Sequence, residues 1–145
     1  MLYLGWVFGD LSAFLRARGF QGRYTGIDFV PELIEAGRNL YPDEDLQVAD
    51  VAQLAGEATF DLVVESGIFN SVLRHEDNRD HIAATLAKMF SLCNVAVTAD
   101  FMTSHVDFVE PDVYYASPDE VLEMARSLTR RTLLRQDYLP FEVAV

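Results

Sequence analysis

Short apolar runs alternate with segments of helical period along the whole chain. Runs at 1–7, 24–28, 46–50, 60–65 and 94–101 are rich in Val, Ile, Leu, Phe and Tyr and read as strands. Between them, Leu11, Phe14 and Leu15 share one helical face, closed by Gly19. Leu33, Ile34, Gly37 and Leu40 share another, opened by Pro31 in its first turn and stopped by Pro42. Asn78 is the expected cap of a third helix whose inward stripe is Ile82, Leu86, Met89, Phe90 and Cys93. Ser117-Pro118-Asp119-Glu120 has the form of a capping box and predicts a fourth helix through Val121, Leu122, Met124 and Ala125.

Strands that are apolar throughout and separated by helices belong to a parallel sheet covered on both faces. The last part of the chain departs from that rhythm. Residues 132–138 and 141–145 both read as strands, with only Leu139-Pro140 between them, and so short a turn requires antiparallel pairing. The expected fold is therefore α/β: a Rossmann-like three-layer sandwich with a seven-stranded, mostly parallel sheet and a C-terminal antiparallel hairpin. All 145 residues are expected to form a single domain.

Charge and cysteine content narrow the partners. A formal net charge of −12 repels phosphate backbones, so no nucleic-acid partner is expected. Cys93 is the single cysteine, which leaves no internal disulfide and no cysteine framework for a metal. No apolar run has membrane-spanning length and the start lacks the pattern of a signal peptide, so a cytoplasmic location is the expectation.

Candidate chemistry gathers at strand ends, because open parallel sheets bind ligands beyond their carboxyl edge. Asp28 ends the second strand and can accept hydrogen bonds from both hydroxyls of a ribose. Asp50 ends the third and is placed for an adenine amino group, with the Val51 amide for a ring nitrogen and Phe29 for the ring face. Each aspartate has an alternative role, capping the helical turn that follows it. The turn after the first strand carries Gly5 and Gly9. A dinucleotide fingerprint would need glycine where Val7 and Asp10 stand, so a nicotinamide cofactor is disfavoured.

Gly5 and Gly9, then the stretch from Gly26 through Asp28 and Phe29 to Ile34, then Gln47 to Val51, then Phe60 to Ser66, together resemble the motif series of class I S-adenosylmethionine-dependent methyltransferases, in particular small bacterial methyltransferase-domain proteins. The resemblance implies S-adenosylmethionine as cofactor and methyl transfer to a small-molecule acceptor. It places Gly5 and Gly9 against the methionine part, Asp28 on the ribose, and Phe29 and Val51 on adenine. Asp50 falls on the adenine amino group and Ser66 near the sulfonium. Three positions depart from the family pattern: Tyr3 stands where an acidic residue is expected, Val7 replaces the middle glycine, and Trp6 lies between. They keep open an alternative, a degenerate, non-catalytic relative with a weakened cofactor site. Measured against the family, the chain lacks leading helices and its last strand is short, so truncation at both ends is expected.

Methyl transfer from a sulfonium rests on alignment and a dry pocket, and no covalent nucleophile is required. No catalytic residue is therefore assigned. His75, His105, Tyr114, Tyr115 and Asn70 lie in connections that can border a pocket, and each has an ordinary surface or packing role as its alternative. His75 and His81 bracket Glu76, Asp77 and Asp80 without matching a metal pattern, and read as a solvated helix start. Arg130 and Arg131 read as surface charge.

Overall fold

The computed structural model describes residues 1–5, 10–56 and 59–145, with the side chain of Asp10 left out. Five strands form one parallel sheet: β1 (Leu2–Leu4), β2 (Thr25–Asp28), β3 (Asp45–Val48), β4 (Phe60–Glu65) and β5 (Cys93–Thr98). Their order is β3-β2-β1-β4-β5, so strand order reverses between β1 and β4. Helices α1 (Asp10–Ala17) and α2 (Pro31–Leu40) cover one face, and α3 (Asn78–Leu92) and α4 (Pro118–Leu128) cover the other. The expected Rossmann-like α/β sandwich is present.

Period-two alternation decides which residues enter which layer. Leu2, Leu4 and Val63 point to the α3/α4 side and join Ile82, Leu86, Met89, Val121 and Phe101 in the main core. Tyr3 points the other way, toward the smaller core of Tyr24, Ile34 and Leu46, with its ring 6.4 Å from that of Tyr24. Phe101 stacks on Phe69 at 5.2 Å, closing the main core beneath the carboxyl edge.

The C-terminal part differs from the seven-stranded expectation. The run 94–101 divides at Ala99 into β5 and a short β6 (Asp100–Met102), and β6 pairs antiparallel with β7 (Glu142–Ala144) as a separate two-stranded sheet. Residues 132–138 form no strand. Their part in the expected hairpin is one antiparallel bridge, Arg135 to Ala144, with backbone bonds of 2.8 and 2.9 Å. The reason is length: β7 turns alternate amides toward β6, and within its three residues the opposite edge offers a partner only at Glu142 and Ala144. Beyond Ala99, which exchanges two backbone bonds with Val145, no described strand pairs with the outer edge of β5. A groove of about 550 Å³ runs there between Val95–Val97 and the segment bearing Arg131 and Leu133, and Val95 and Leu133 are each 72 % exposed.

Helix ends also differ from the expected pattern. Asp77, not Asn78, caps α3 by accepting from Asp80 N at 3.1 Å. Asn78 is buried one residue later, where it clamps Leu73 N and Ser71 O. Ser117 precedes α4 without a side-chain cap bond, and Pro118 in the first turn sets the helix start instead. Phe14 and Phe90 lie off the inward stripes. Phe14 sits under Arg18 at 3.6 Å, and Phe90 lines the β5 groove.

Truncating Phe101 to alanine would remove one wall of the Phe69 stack from a fully packed site. The expected cost is about 3–5 kcal/mol, seen as a lower urea midpoint at unchanged slope.

Candidate functional site

At the carboxyl edge of β1, β2 and β3 lies a cavity of about 390 Å³, lined by Gly5, Asp28, Phe29, Asp50 and Val51 among others. Five of the seven candidate residues therefore meet in one place. Gly9 falls outside the described residues, as do Trp6 and Val7. Ser66 is not part of the cavity wall.

Each strand-end aspartate caps the turn that follows it, and each also lines the cavity. Asp28 is 7 % exposed, and its Oδ1 accepts from Val30 N at 2.8 Å, fixing the start of α2. Asp50 Oδ1 accepts from Ala52 N at 2.9 Å and caps the short 3-10 turn Val51–Gln53. In both residues capping uses Oδ1, which leaves Oδ2 for a ligand. As the first residue of its turn, Val51 has an N–H with no partner inside it. Phe29 is 77 % exposed at the cavity mouth, an apolar plate with nothing packed over it. Gly5 adopts φ +72°, and a Cβ there would overlap Ile68 Cγ2. Backbone thus reaches the cavity where a side chain would be strained and crowded. These features fit a nucleoside: a carboxylate for a diol, a second for an exocyclic amine, an open amide and an aromatic face.

Helix α3 supplies a further wall, in which His81 and Glu76 are lining residues rather than the solvated helix start expected from sequence. His81, Thr85 and Lys88 line the cavity together with Glu76. His81 Nδ1 lies 3.1 Å from Glu76 Oε1, and Lys88 Nζ donates to Leu54 O at 2.7 Å. Their spacing of i, i+4 and i+7 sets these three residues on one helical face. Among the described residues no metal-binding group of His, Cys, Asp and Glu occurs. His75 and His105 are exposed. Asn70 is a structural clamp, its Oδ1 accepting from Met102 N at 2.9 Å while its carbonyl accepts from Tyr114 N at 3.0 Å. Burial raises the pKa of Tyr114, and Tyr115 is tied through its hydroxyl to Glu110 N.

On the other side of the strand-order reversal stands an acidic cluster that the sequence reading did not anticipate. Ser66 Oγ donates to Asp100 Oδ2 at 2.6 Å, and Gly67 N donates to Asp100 Oδ1 at 2.9 Å. Glu65 is 2 % exposed. Its Oε2 accepts from Ile68 N at 3.3 Å, and its Oε1 has no hydrogen-bond partner among the described residues. Burial first, and then the charge of Asp100, hold the Glu65 carboxyl well above the usual carboxylate range. Glu142 is raised for the same two reasons. Tyr138 is pushed up to about 12 by burial and the charges of Asp100 and Glu142. Tyr3 is likewise raised, by burial and then Asp100 and Glu65.

With that geometry in view, comparison with known proteins decides the family. Residues 1–96 match the sequence pattern of the Methyltransferase domain family. The chain belongs to that family. It is 33 % identical over 150 residues to the Mycobacterium tuberculosis protein Rv1506c, described as a candidate methyltransferase, covering 98 % of this chain and 88 % of that one. Its fold is similar to magnesium protoporphyrin IX methyltransferase of Synechocystis with bound S-adenosylmethionine. There the TM-score is 0.73 at 15 % identity, over 99 % of this chain and 66 % of that one. It is also similar to 1,6-didemethyltoxoflavin-N1-methyltransferase of Burkholderia thailandensis, with TM-score 0.70 at 20 % identity over 99 % and 67 % of the two chains. The chain thus spans about two thirds of the length of these two enzymes. No described helix is long and apolar enough to cross a membrane.

Two substitutions probe this architecture. Gly5→Ala meets both a left-handed backbone and Ile68, and should lower stability by about 1–3 kcal/mol in denaturant unfolding. Glu65→Gln should act in the opposite direction. A carboxyl whose pKa is raised by folding stabilises fully below its unfolded value and loses that contribution as pH rises through the folded value. The advantage of the glutamine variant in thermal midpoint should therefore widen from pH 5 toward pH 8, and a constant difference would contradict the assignment.

Proposed function

We propose that the cavity binds S-adenosylmethionine and that the protein transfers the cofactor's methyl group to a small-molecule acceptor. The observation that carries this reading is the convergence of Gly5, Asp28, Phe29, Asp50 and Val51 on one cavity beside the β1/β4 reversal. Asp28 Oδ2 would take the ribose hydroxyls, Asp50 the adenine amino group and the Val51 amide a ring nitrogen, with Phe29 against the ring. Gly5, together with Gly9, would admit the methionine part at close backbone approach, and Ser66 would lie near the sulfonium.

When bound, the cofactor supplies an electrophilic methyl group on sulfur, displaced in line by an acceptor oxygen or nitrogen. The protein's task is then alignment and exclusion of water rather than covalent catalysis. The buried floor formed by Leu4 and Ile27 provides the dry side of that pocket. A small acceptor is supported by the net charge of −12, which opposes nucleic acid, and by the small-molecule substrates named for the two similar enzymes.

A second reading, a family member that has lost catalysis, is favoured by one observation. Tyr3 directs its ring to the smaller core and presents no carboxylate beside the glycine turn. Calorimetric titration with S-adenosylhomocysteine separates the two. The cofactor reading expects binding, weakened about 10- to 100-fold by Asp28→Ala through loss of charge-assisted hydrogen bonds. No heat at millimolar ligand, reversed by Tyr3→Asp with Val7→Gly, would establish the second reading.

A further inference from the structure

Strand β7 is bonded along both of its edges, and both neighbours run on past its end. On one edge Ala99 exchanges two backbone bonds with Val145, at 2.9 and 3.0 Å, and Thr103 N donates to Phe141 O at 2.8 Å. On the other edge Arg135 exchanges two with Ala144, at 2.8 and 2.9 Å. Antiparallel pairing turns alternate residues toward a given neighbour. Two residues back along each neighbour, the next backbone groups to face the line of β7 belong to Val97 on β5 and to Leu133 on the other segment. Apart from the ladder of β5 with β4, neither makes a backbone hydrogen bond among the described residues. Val97 and Leu133 both line the groove of about 550 Å³, as do Val95 and Arg131 two residues further on. The groove thus prolongs the line of β7 between two rows of backbone donors and acceptors.

We infer that this groove receives an extended, acidic segment of a partner polypeptide, which pairs antiparallel with both walls in line with β7. Backbone groups that repeat in step along two walls recognise another backbone, and a compact ligand would meet only a few of them. Side chains supply the selectivity. Val95 and Leu133, one on each wall and each 72 % exposed, offer apolar contacts to alternate residues of an inserted strand. Arg131 lines the same groove and forms no ion pair among the described residues, in a chain with 23 acidic and 11 basic residues. Its charge complements a carboxylate on the incoming strand. A second copy of this chain fits poorly, because its own β5 lies behind the same Arg131 and Leu133 segment, and each edge is shielded from the other. The inference is independent of the cofactor reading: the groove follows the outer side of β5, whereas the nucleoside cavity lies at the ends of β1, β2 and β3.

The probe is a fluorescein-labelled hexapeptide that alternates valine with glutamate, titrated into the protein and followed by anisotropy. One control peptide replaces each glutamate by lysine. Another carries N-methyl groups on its valine amides, which blocks pairing along one edge. Wild type should bind the acidic peptide, and each control about tenfold or more weaker. Arg131→Glu, an exposed position whose folding a thermal melt checks, should lose that preference and favour the lysine peptide. In hydrogen exchange read by NMR, the amides of Val97 and Leu133 should slow together when the acidic peptide is added. No binding of the acidic peptide overturns the inference, and so does equal binding of the N-methylated one or exchange unchanged at both amides. An Arg131→Glu variant with the wild-type preference overturns the acidic partner. A concentration-dependent dimer in sedimentation that itself slows the Val97 amide gives the groove to a second copy, and the inference falls.

Discussion

The pairing of Leu2–Leu4 with Thr25–Ile27 on one side and Val63–Glu65 on the other is the constraint from which the rest of the molecule follows. Strand β1 joins the two halves of the sheet, and both of its leucines are fully packed. Because β2 and β4 flank it, the chain leaves the sheet in opposite directions from this point, and a crevice must open at its carboxyl end. Gly5 follows at once, in a conformation a side chain would strain, so backbone lines the crevice at that point. Every group with candidate chemistry is then placed by its distance, in strands, from β1.

That arrangement divides the edge by charge and by solvent. On the β2/β3 side the carboxylates are half satisfied by helix capping and half open. On the β4/β6/β7 side Glu65 is buried with its Oε2 bonded to Ile68 N, and Asp100 is held by Ser66 and Gly67. The first kind of site is ready for neutral, hydroxyl-rich and amine-bearing groups. The second is tied together by hydrogen bonds within the protein, and burial holds the Glu65 and Glu142 carboxyls above their ordinary range.

Much of this was legible in the residues, for identifiable reasons. Short runs rich in Val, Ile, Leu and Phe marked β4 and β5 even though both keep exposed positions, β2 is buried throughout, and Pro31 and Pro42 framed α2. Asp28, Asp50 and Gly5 could be read because strand ends and glycine turns have local signatures. Residues 132–138 misled because a strand needs a partner edge, and partner length is a tertiary property invisible in the run itself. The wall from His81 to Lys88 was hidden for a related reason: polar residues on a helix face look alike whether they meet water or a cavity. The Glu65–Asp100–Glu142 grouping joins residues up to 77 positions apart and carries no local signal.

The outer edge of β5 has a consequence for how the protein behaves in concentrated solution. Between Cys93 and Thr98 this strand carries no charged side chain, and sheet edges without charge are templates for pairing with other chains. What guards it is the adjoining segment, whose Arg131 and Arg135 line the same groove. Protection against self-association is thus delegated from the strand to its neighbour. Colloidal behaviour in this acidic protein accordingly hinges on a few of its 11 basic residues.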